Sequence, residues 1–466
     1  MMDVPVGKVS PMSQAGNSPA SRDIAYVVHG YTNLEAHKTE GPRIVSEGKG
    51  VWIYDDAGKG YIEGLAGLWC TSLGFGEERL VQAATEQLRK LPYYHVFASR
   101  SHDAVIDLAE RLVEMAPVPM SKAFFANSGS EAVDTVVKLV WYYNNAIERP
   151  EKKKIISRIK GYHGVTVAAA SLTGLPANHQ DFDLPIAGIL HTDCPHYYRF
   201  GEDGETEEDF ATRCAASLEK LIQDEGPDTV AAFIAEPVMG AGGVIVPPAT
   251  YFEKIQAVLK KHDVLFVADE VICGFGRTGN MWGSQTYDLK PDMLTCAKAL
   301  SASYMPISAV LVSEPIYQAM VTESEKVGVF GHGYTYAAHP VASAVALETL
   351  KIYEEIDIVA RVQATSPHFQ AAFASLAEHP LIGDVQGVGL LVGMEIVQDK
   401  ATRQAFDAAE KVGLRVEKHC LSHGLISRAI GDRIAICPPL IIDEGQIDEI
   451  AAALSKALDD TWAEVG

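Results

Sequence analysis

An alternation in the middle of the chain constrains the fold more than any other feature. Short apolar runs recur between stretches of helical periodicity, and each run closes on polar or reactive residues. Residues 122–125 read as a strand, followed by a helix over 131–146. Residues 154–158, 229–235 and 264–268 read as further strands, the last after a helix over 251–262. Residues 293–296 and 307–312 continue the pattern. Runs that are apolar throughout belong to strands covered on both faces, which implies an α/β fold with a mostly parallel sheet.

The flanks are read less directly. Residues 51–62 form a hairpin around Gly58, and 80–91 and 101–115 have helical spacing. Beyond Pro340 come helices over 341–356 and 358–376, a strand over 387–396 and a helix over 401–422. Short apolar runs at 425–428 and 433–439 and a helix over 444–462 complete the chain. The expected division is an N-terminal segment (1–75) that joins a smaller domain, a large domain (76–340) and a C-terminal small domain (341–466). The Pro-, Ser- and Gly-rich start, Met1 to Asp23, reads as loosely ordered. The acidic stretch 200–209 reads as a surface insertion, and Lys152-Lys153-Lys154 as a solvated turn.

Open α/β sheets bind ligands beyond the carboxyl ends of their strands. Those ends carry Asn127-Ser128-Gly129-Ser130-Glu131, Tyr162-His163, Glu236, Asp269-Glu270 and Lys298. These residues should therefore converge although the chain scatters them. The formal charge of −22 would repel nucleic acid and anionic membranes. No apolar run reaches the length of a membrane span. The seven cysteines are odd in number and lack metal-ligand spacing, which suits reduced thiols in the cytoplasm.

Two residues point to a cofactor. Lys298 lies among small and apolar residues, and Asp269 ends an apolar run upstream of it. A buried amine forms a Schiff base with an aldehyde, and a carboxylate keeps a pyridine nitrogen protonated, so the pair suits pyridoxal phosphate. Ser128 and Glu131 have capping-box spacing, so a helix starts there and its free amides could hold a phosphate. Each signal also has a plain structural reading: a surface lysine, a salt-bridged aspartate, an ordinary helix cap. Tyr162 could stack on a ring, Trp69 could wall a pocket and Arg428 could grip a carboxylate. Gly274-Phe275-Gly276 only superficially resembles a dinucleotide loop.

Their order, however, matches one family. From about Gly41 to Leu458 the chain resembles the class III, fold-type I aminotransferases, and most closely the omega-transaminases that use pyruvate. The motifs are Gly67-Leu68-Trp69, Ser128-Gly129-Ser130-Glu131-Ala132, Tyr162-His163-Gly164, Ala235-Glu236-Pro237-Val238, the block Asp269 to Gly279, Lys298, and His332-Gly333-Tyr334-Thr335-Tyr336. The resemblance implies a large domain built on a mostly parallel seven-stranded sheet. It implies that Lys298 carries pyridoxal 5'-phosphate and shuttles the proton, while Asp269 pairs with the ring nitrogen. Ser128, Gly129 and Ser130 would bind the phosphate. Tyr162 and Val271 would cover the ring faces, with His163, Glu236 and Tyr334 nearby.

Thr335 would reach the phosphate site of a neighbouring subunit, which implies a homodimer or larger assembly. Arg428 would bind the keto-acid carboxylate, and Trp69, Phe97, Tyr162 and Ala241 would shape the substrate pockets. The implied reaction moves an amino group from a primary amine or ω-amino acid to pyruvate, giving alanine. A decarboxylase or aminomutase of the same fold is the nearest rival, and a catalytically silent scaffold the remoter one. Ala299 stands where glycine is common and Ala337 where serine is frequent, both expected near the cofactor.

Overall fold

The computed structural model describes residues 16–466. Its centre is a seven-stranded sheet in the order Lys122–Ala126, Ser308–Val312, Met293–Cys296, Leu265–Asp269, Val230–Ala235, Lys154–Arg158 and Ile189–Thr192. Only Ser308–Val312 runs antiparallel to its neighbours. Every residue of Val230–Ala235, Met293–Cys296 and Ser308–Val312 is buried. That double-sided burial is the reason these strands read as unbroken apolar runs.

The edge strand Ile189–Thr192 escaped the sequence reading. It is four residues long, and its inner two positions are only half-buried, so its apolar signal is weak. The helix Gly129–Ala146 packs across the sheet. The helix Pro340–Glu355 packs on the helices Glu78–Lys90 and Asp103–Glu114 and on the turn Lys298–Ser301. It thereby buttresses the segment that carries Lys298.

Two smaller sheets flank this body. One pairs Val45–Lys49, Trp52–Asp55 and Gly60–Glu63 with Leu425–Ile426, so a segment near the start meets one near the end. The other orders Ile382–Val388, Leu391–Ile396, Arg433–Ile436 and Arg428–Ile430, all antiparallel. The helices Ile358–Ala374, Val412–Ser422 and Glu444–Val465 complete this region.

Several local expectations change. The strand read over 387–396 is the second half of a hairpin that turns at Gly389, whose φ is +58°. A Cβ there would lie 2.3 Å from the Arg277 carbonyl oxygen, so the turn requires glycine. The helix read from 401 begins only at Val412. Lys411 is left-handed, and Asp407 caps a separate short turn over Ala408–Glu410.

Part of the N-terminal stretch lies outside the described residues, but Pro19–Tyr26 is helical, with Ser18 as cap and Pro19 in the first turn. Lys152-Lys153-Lys154 is not a solvated turn. Lys152 is buried with its amine on the His262 carbonyl, Lys153 bonds the Trp141 carbonyl, and Lys154 pairs with Glu225.

Candidate active site

The strand ends converge as the α/β pattern demands. A cavity of about 390 Å³ is lined by Ser128, Gly129, Ser130, Tyr162, His163, Glu236, Asp269, Val271 and Lys298. All nine were expected at the cofactor.

Asp269 is the last residue of its strand and pairs in register with Thr295. Its Oδ1 accepts from the Val271 amide at 3.1 Å and the Thr295 hydroxyl at 3.2 Å, and its Oδ2 meets His163 Nδ1 at 2.7 Å. The carboxylate is thus oriented on both oxygens, which offsets the cost of burying it. His163 Nε2 is buried without a hydrogen-bond partner among the described residues.

Lys298 opens the 3-10 turn Lys298–Ser301 with φ +46°, a left-handed conformation unusual for a side chain with a Cβ. Such strain is held by its surroundings and concentrates at functional sites. Lysine borders the cavity, yet burial still pushes its pKa below that of an ordinary lysine, against the opposing charge of Asp269.

The helix Gly129–Ala146 starts at the cavity wall. Ser128 Oγ caps the Glu131 amide at 3.2 Å. The expected reciprocal bond is displaced by one residue: Glu131 Oε2 accepts from the backbone amide of Asn127 at 2.7 Å. The first amides of this 18-residue helix lack intrahelical partners and carry the positive end of its dipole. Ser130 Oγ accepts from the Val165 amide at 3.0 Å. Gly164 allows that approach, since a Cβ there would fall 2.5 Å from Ser130 Oγ.

Glu236 fastens the other side. Its Oε1 accepts from the Tyr162 amide at 3.0 Å and its Oε2 from the Gly240 amide at 2.9 Å. Burial raises its pKa, and burial likewise raises that of the Tyr162 phenol. Glu270, next to Asp269, is pushed up to about 7 by burial although it accepts bonds from Gly283 and Ser284.

The remaining expected residues lie elsewhere. Arg428 begins the strand Arg428–Ile430 of the C-terminal sheet and does not line the cavity, although its charge is near enough to favour ionisation of Tyr162. Trp69 is buried in an apolar cluster with Leu65, Val238 and Ile272, the last of which lines the cavity. Ala241 is half-buried in the loop after Glu236. Phe97 is exposed and lines a second cavity of about 850 Å³, with Ala337 and His332.

Tyr334 donates to the Glu131 carbonyl at 3.0 Å, inside the helix start but off the cavity. Thr335 is exposed, its carbonyl accepting from Tyr93. Ala299 is a core residue whose carbonyl accepts from Tyr353, so neither it nor Ala337 lines the cofactor cavity.

Ser301, Ser303, Met305 and Tyr31 were not anticipated. The first three line the cavity, brought there by the tight turn after Lys298. Tyr31 stands beside Tyr162, and its hydroxyl accepts from Asn178 at 2.7 Å. Nothing in the local spacing marks these residues.

The cavity offers an amide-rich end, a carboxylate, a buried amine with a lowered pKa, and a tyrosine with a branched aliphatic side chain. Those groups suit a phosphate, a pyridinium nitrogen, an aldehyde and the faces of an aromatic ring. The donor set therefore fits pyridoxal phosphate. Fold and site together define a pyridoxal-phosphate-dependent transferase.

The comparisons with known proteins narrow this class. Residues 34–458 match the model of the family "Aminotransferase class-III". The chain is 55% identical over 421 residues to gamma aminobutyrate transaminase 3, chloroplastic, of Solanum lycopersicum, covering 90% of this chain and 81% of that protein. The omega transaminase of Pseudomonas jessenii, solved in complex with PMP, superposes with a TM-score of 0.95 at 52% identity, over 96% of this chain and 99% of that one. A solved "Transaminase with L-ala" is 57% identical, with a TM-score of 0.89 over 91% of this chain and all of that one. The chain belongs to the class III aminotransferases and uses pyridoxal phosphate. No helix among the described residues is long and apolar enough to cross a membrane.

Proposed function

We propose that this aminotransferase takes the amino group of a primary amine or ω-amino acid and delivers it to pyruvate, releasing alanine, in a ping-pong sequence. The observation that carries the acceptor is Arg428. Its charge acts on Tyr162, which lines the cavity, and a guanidinium there would offer a keto-acid carboxylate a bidentate grip. The relative solved with L-alanine supports that choice, and the γ-aminobutyrate transaminase supports an ω-amino donor.

Pyridoxal phosphate, when bound, supplies an aldehyde that condenses with amines and a ring that withdraws electrons from the neighbouring carbon. Gly129 and Ser130 would hold its phosphate on the helix start. Asp269, oriented by His163 and Thr295, would keep the ring nitrogen protonated. Tyr162 and Val271 would fix the ring plane. Lys298, once its amine is free, takes the proton from the donor's amine-bearing carbon at Nζ. Its lowered pKa leaves more of the amine unprotonated at neutral pH than in an exposed lysine, which suits it to that transfer. Holding base and bond in one geometry contributes further.

The same reading places the enzyme in the cytoplasm and includes a homodimer or larger assembly, the latter supported by the exposed Thr335 and Tyr336 and by Phe97, which is exposed and lines the second cavity. It also includes the division into 1–75, 76–340 and 341–466, supported by the pairing of Gly60–Glu63 with Leu425–Ile426.

The visible spectrum of the loaded protein tests the proposal. A yellow band that bleaches with a primary amine and returns with pyruvate is the expected result. A band that returns only with a different keto acid would overturn the acceptor. Carbon dioxide release, or product formed without any acceptor, would overturn the reaction type.

A further inference from the structure

A cluster outside the cavity lining is unused by this chemistry. Asp23, His29 and His37 place one donor atom each within 4.8 Å of one another. Asp23 Oδ1 lies 2.7 Å from His29 Nε2 and 3.2 Å from His37 Nε2, and the two imidazole rings are 4.4 Å apart. Asp23 belongs to the helix Pro19–Tyr26 and His37 to the helix Leu34–Glu40, with His29 on the link between them. All three are partly buried, and His29 and His37 also line an open cavity of about 320 Å³ with Thr32, Asn33 and Glu40.

A single imidazole would suffice to pair one surface carboxylate. Two imidazoles aimed at the same oxygen repel each other if both are protonated. Two neutral imidazoles and a carboxylate are instead an ordinary ligand set for a borderline divalent transition ion. Tetrahedral zinc at about 2.0–2.2 Å from each ligand needs donor atoms about 3.3 Å apart; the Asp23–His37 pair at 3.2 Å meets this, while the Asp23–His29 pair at 2.7 Å must open slightly. The cavity leaves room for water as a fourth ligand. Arg43 also borders it, but that guanidinium is held against Tyr61, donating to the phenol oxygen and stacking 4.9 Å from the ring.

We propose that Asp23, His29 and His37 bind a divalent transition ion of the zinc type. The bound ion staples the helix Pro19–Tyr26 to the helix Leu34–Glu40. The stapled loop carries Tyr31, which bonds Asn178 and stands beside Tyr162. The site is thus a structural clasp on the segment that places Tyr31 beside Tyr162, a residue of the cavity wall.

The experiment uses the full chain loaded with cofactor, stripped with chelator and dialysed against Zn²⁺. Elemental analysis should find about one ion per chain. Loss of an outer partner of a metal ligand already weakens affinity about 10–100-fold, so His29→Ala and His37→Ala should each weaken it at least as much. Their cofactor absorbance reports that the fold survives.

In the wild type, Zn²⁺ should also slow tryptic cleavage after Arg22 and Lys38, both exposed. In the two variants it should not. No retained zinc in the wild type would overturn the proposal and leave the cluster an ion pair only. Equal retention by the variants, or protection that persists in them, would overturn it as well.

Discussion

Two buried charged clusters in this molecule differ in one respect. In the C-terminal sheet, Arg433 is buried against Glu395, with Nη1 to Oε2 at 2.5 Å. Its remaining donors go to the Gly243 and Val244 carbonyls and to His196, while Glu395 Oε1 takes Arg199. The charged atoms of Arg433 and Glu395 are satisfied from within the protein, although His196 Nδ1 beside them is buried without a partner among the described residues, as His163 Nε2 is. At the end of the central sheet, Asp269 is oriented by three donors, but Lys298 is influenced by it through charge alone, and both side chains line the cavity of about 390 Å³. The first cluster closes on itself and fastens a sheet to a loop. The second opens onto a cavity. Buried charge that turns toward a cavity is where chemistry is expected; buried charge that closes on itself is architecture.

Substitutions can break this contrast. The largest effect is expected from Lys298→Ala. Turnover should fall by at least about 10³-fold while cofactor still binds and the unfolding temperature changes little. Single-turnover rates and bound-cofactor analysis check this, and near-normal activity would remove Lys298 from the reaction. Next, Glu395→Gln should act oppositely. Breaking a buried pair costs about 3–5 kcal/mol, read as a lower thermal midpoint, with kcat retained below that midpoint. A loss of kcat without a loss of stability would erase the distinction.

Arg428→Ala sharpens the comparison at the rim. Losing a hydrogen-bonded charge contact should lower kcat/KM for pyruvate about 10–100-fold and leave the half-reaction with a plain amine nearly unchanged. Equal losses in both half-reactions would argue against a carboxylate contact.

The smallest effect concerns pH. Glu63 is buried, accepts from the Leu65 amide at 3.0 Å, and is pushed up to about 7 by burial. Its protonated form is favoured in the fold, so its contribution to stability is full below its ordinary pKa of 4.5 and is lost as pH rises through about 7. Thermal midpoints of wild type and Glu63→Gln from pH 5 to 8 should diverge by a few degrees in the variant's favour. Parallel curves would mean that Glu63 stays ionised throughout.

The legibility of the site in the sequence follows the same contrast. The cofactor residues sit at strand ends, and each strand carries a strong apolar signal, so Asp269, Lys298, Tyr162 and the helix start at Ser128 could be placed together from their positions alone. Ser301, Ser303 and Met305 reach the cavity because the backbone after Lys298 turns through left-handed residues, and no periodicity records a turn of that kind. Trp69 and Phe97 were both expected to shape the substrate pockets; one is buried in an apolar cluster with Ile272 and the other is exposed. Exposure is a property of the packed chain, so residue type could not separate them.

By itself, the sequence determined the α/β alternation, the order of the reactive residues and their motifs, and hence the family. It did so because apolar periodicity and strand-end chemistry are local and survive in linear order. The tertiary structure alone decided that Ile189–Thr192 is the seventh strand, the hairpin at Gly389, the pairing of Gly60–Glu63 with Leu425–Ile426, and the meeting of Asp23, His29 and His37. Each of these depends on which segments share a boundary after folding. Burial, register and the convergence of distant donors arise from that contact, and no window of the chain contains them.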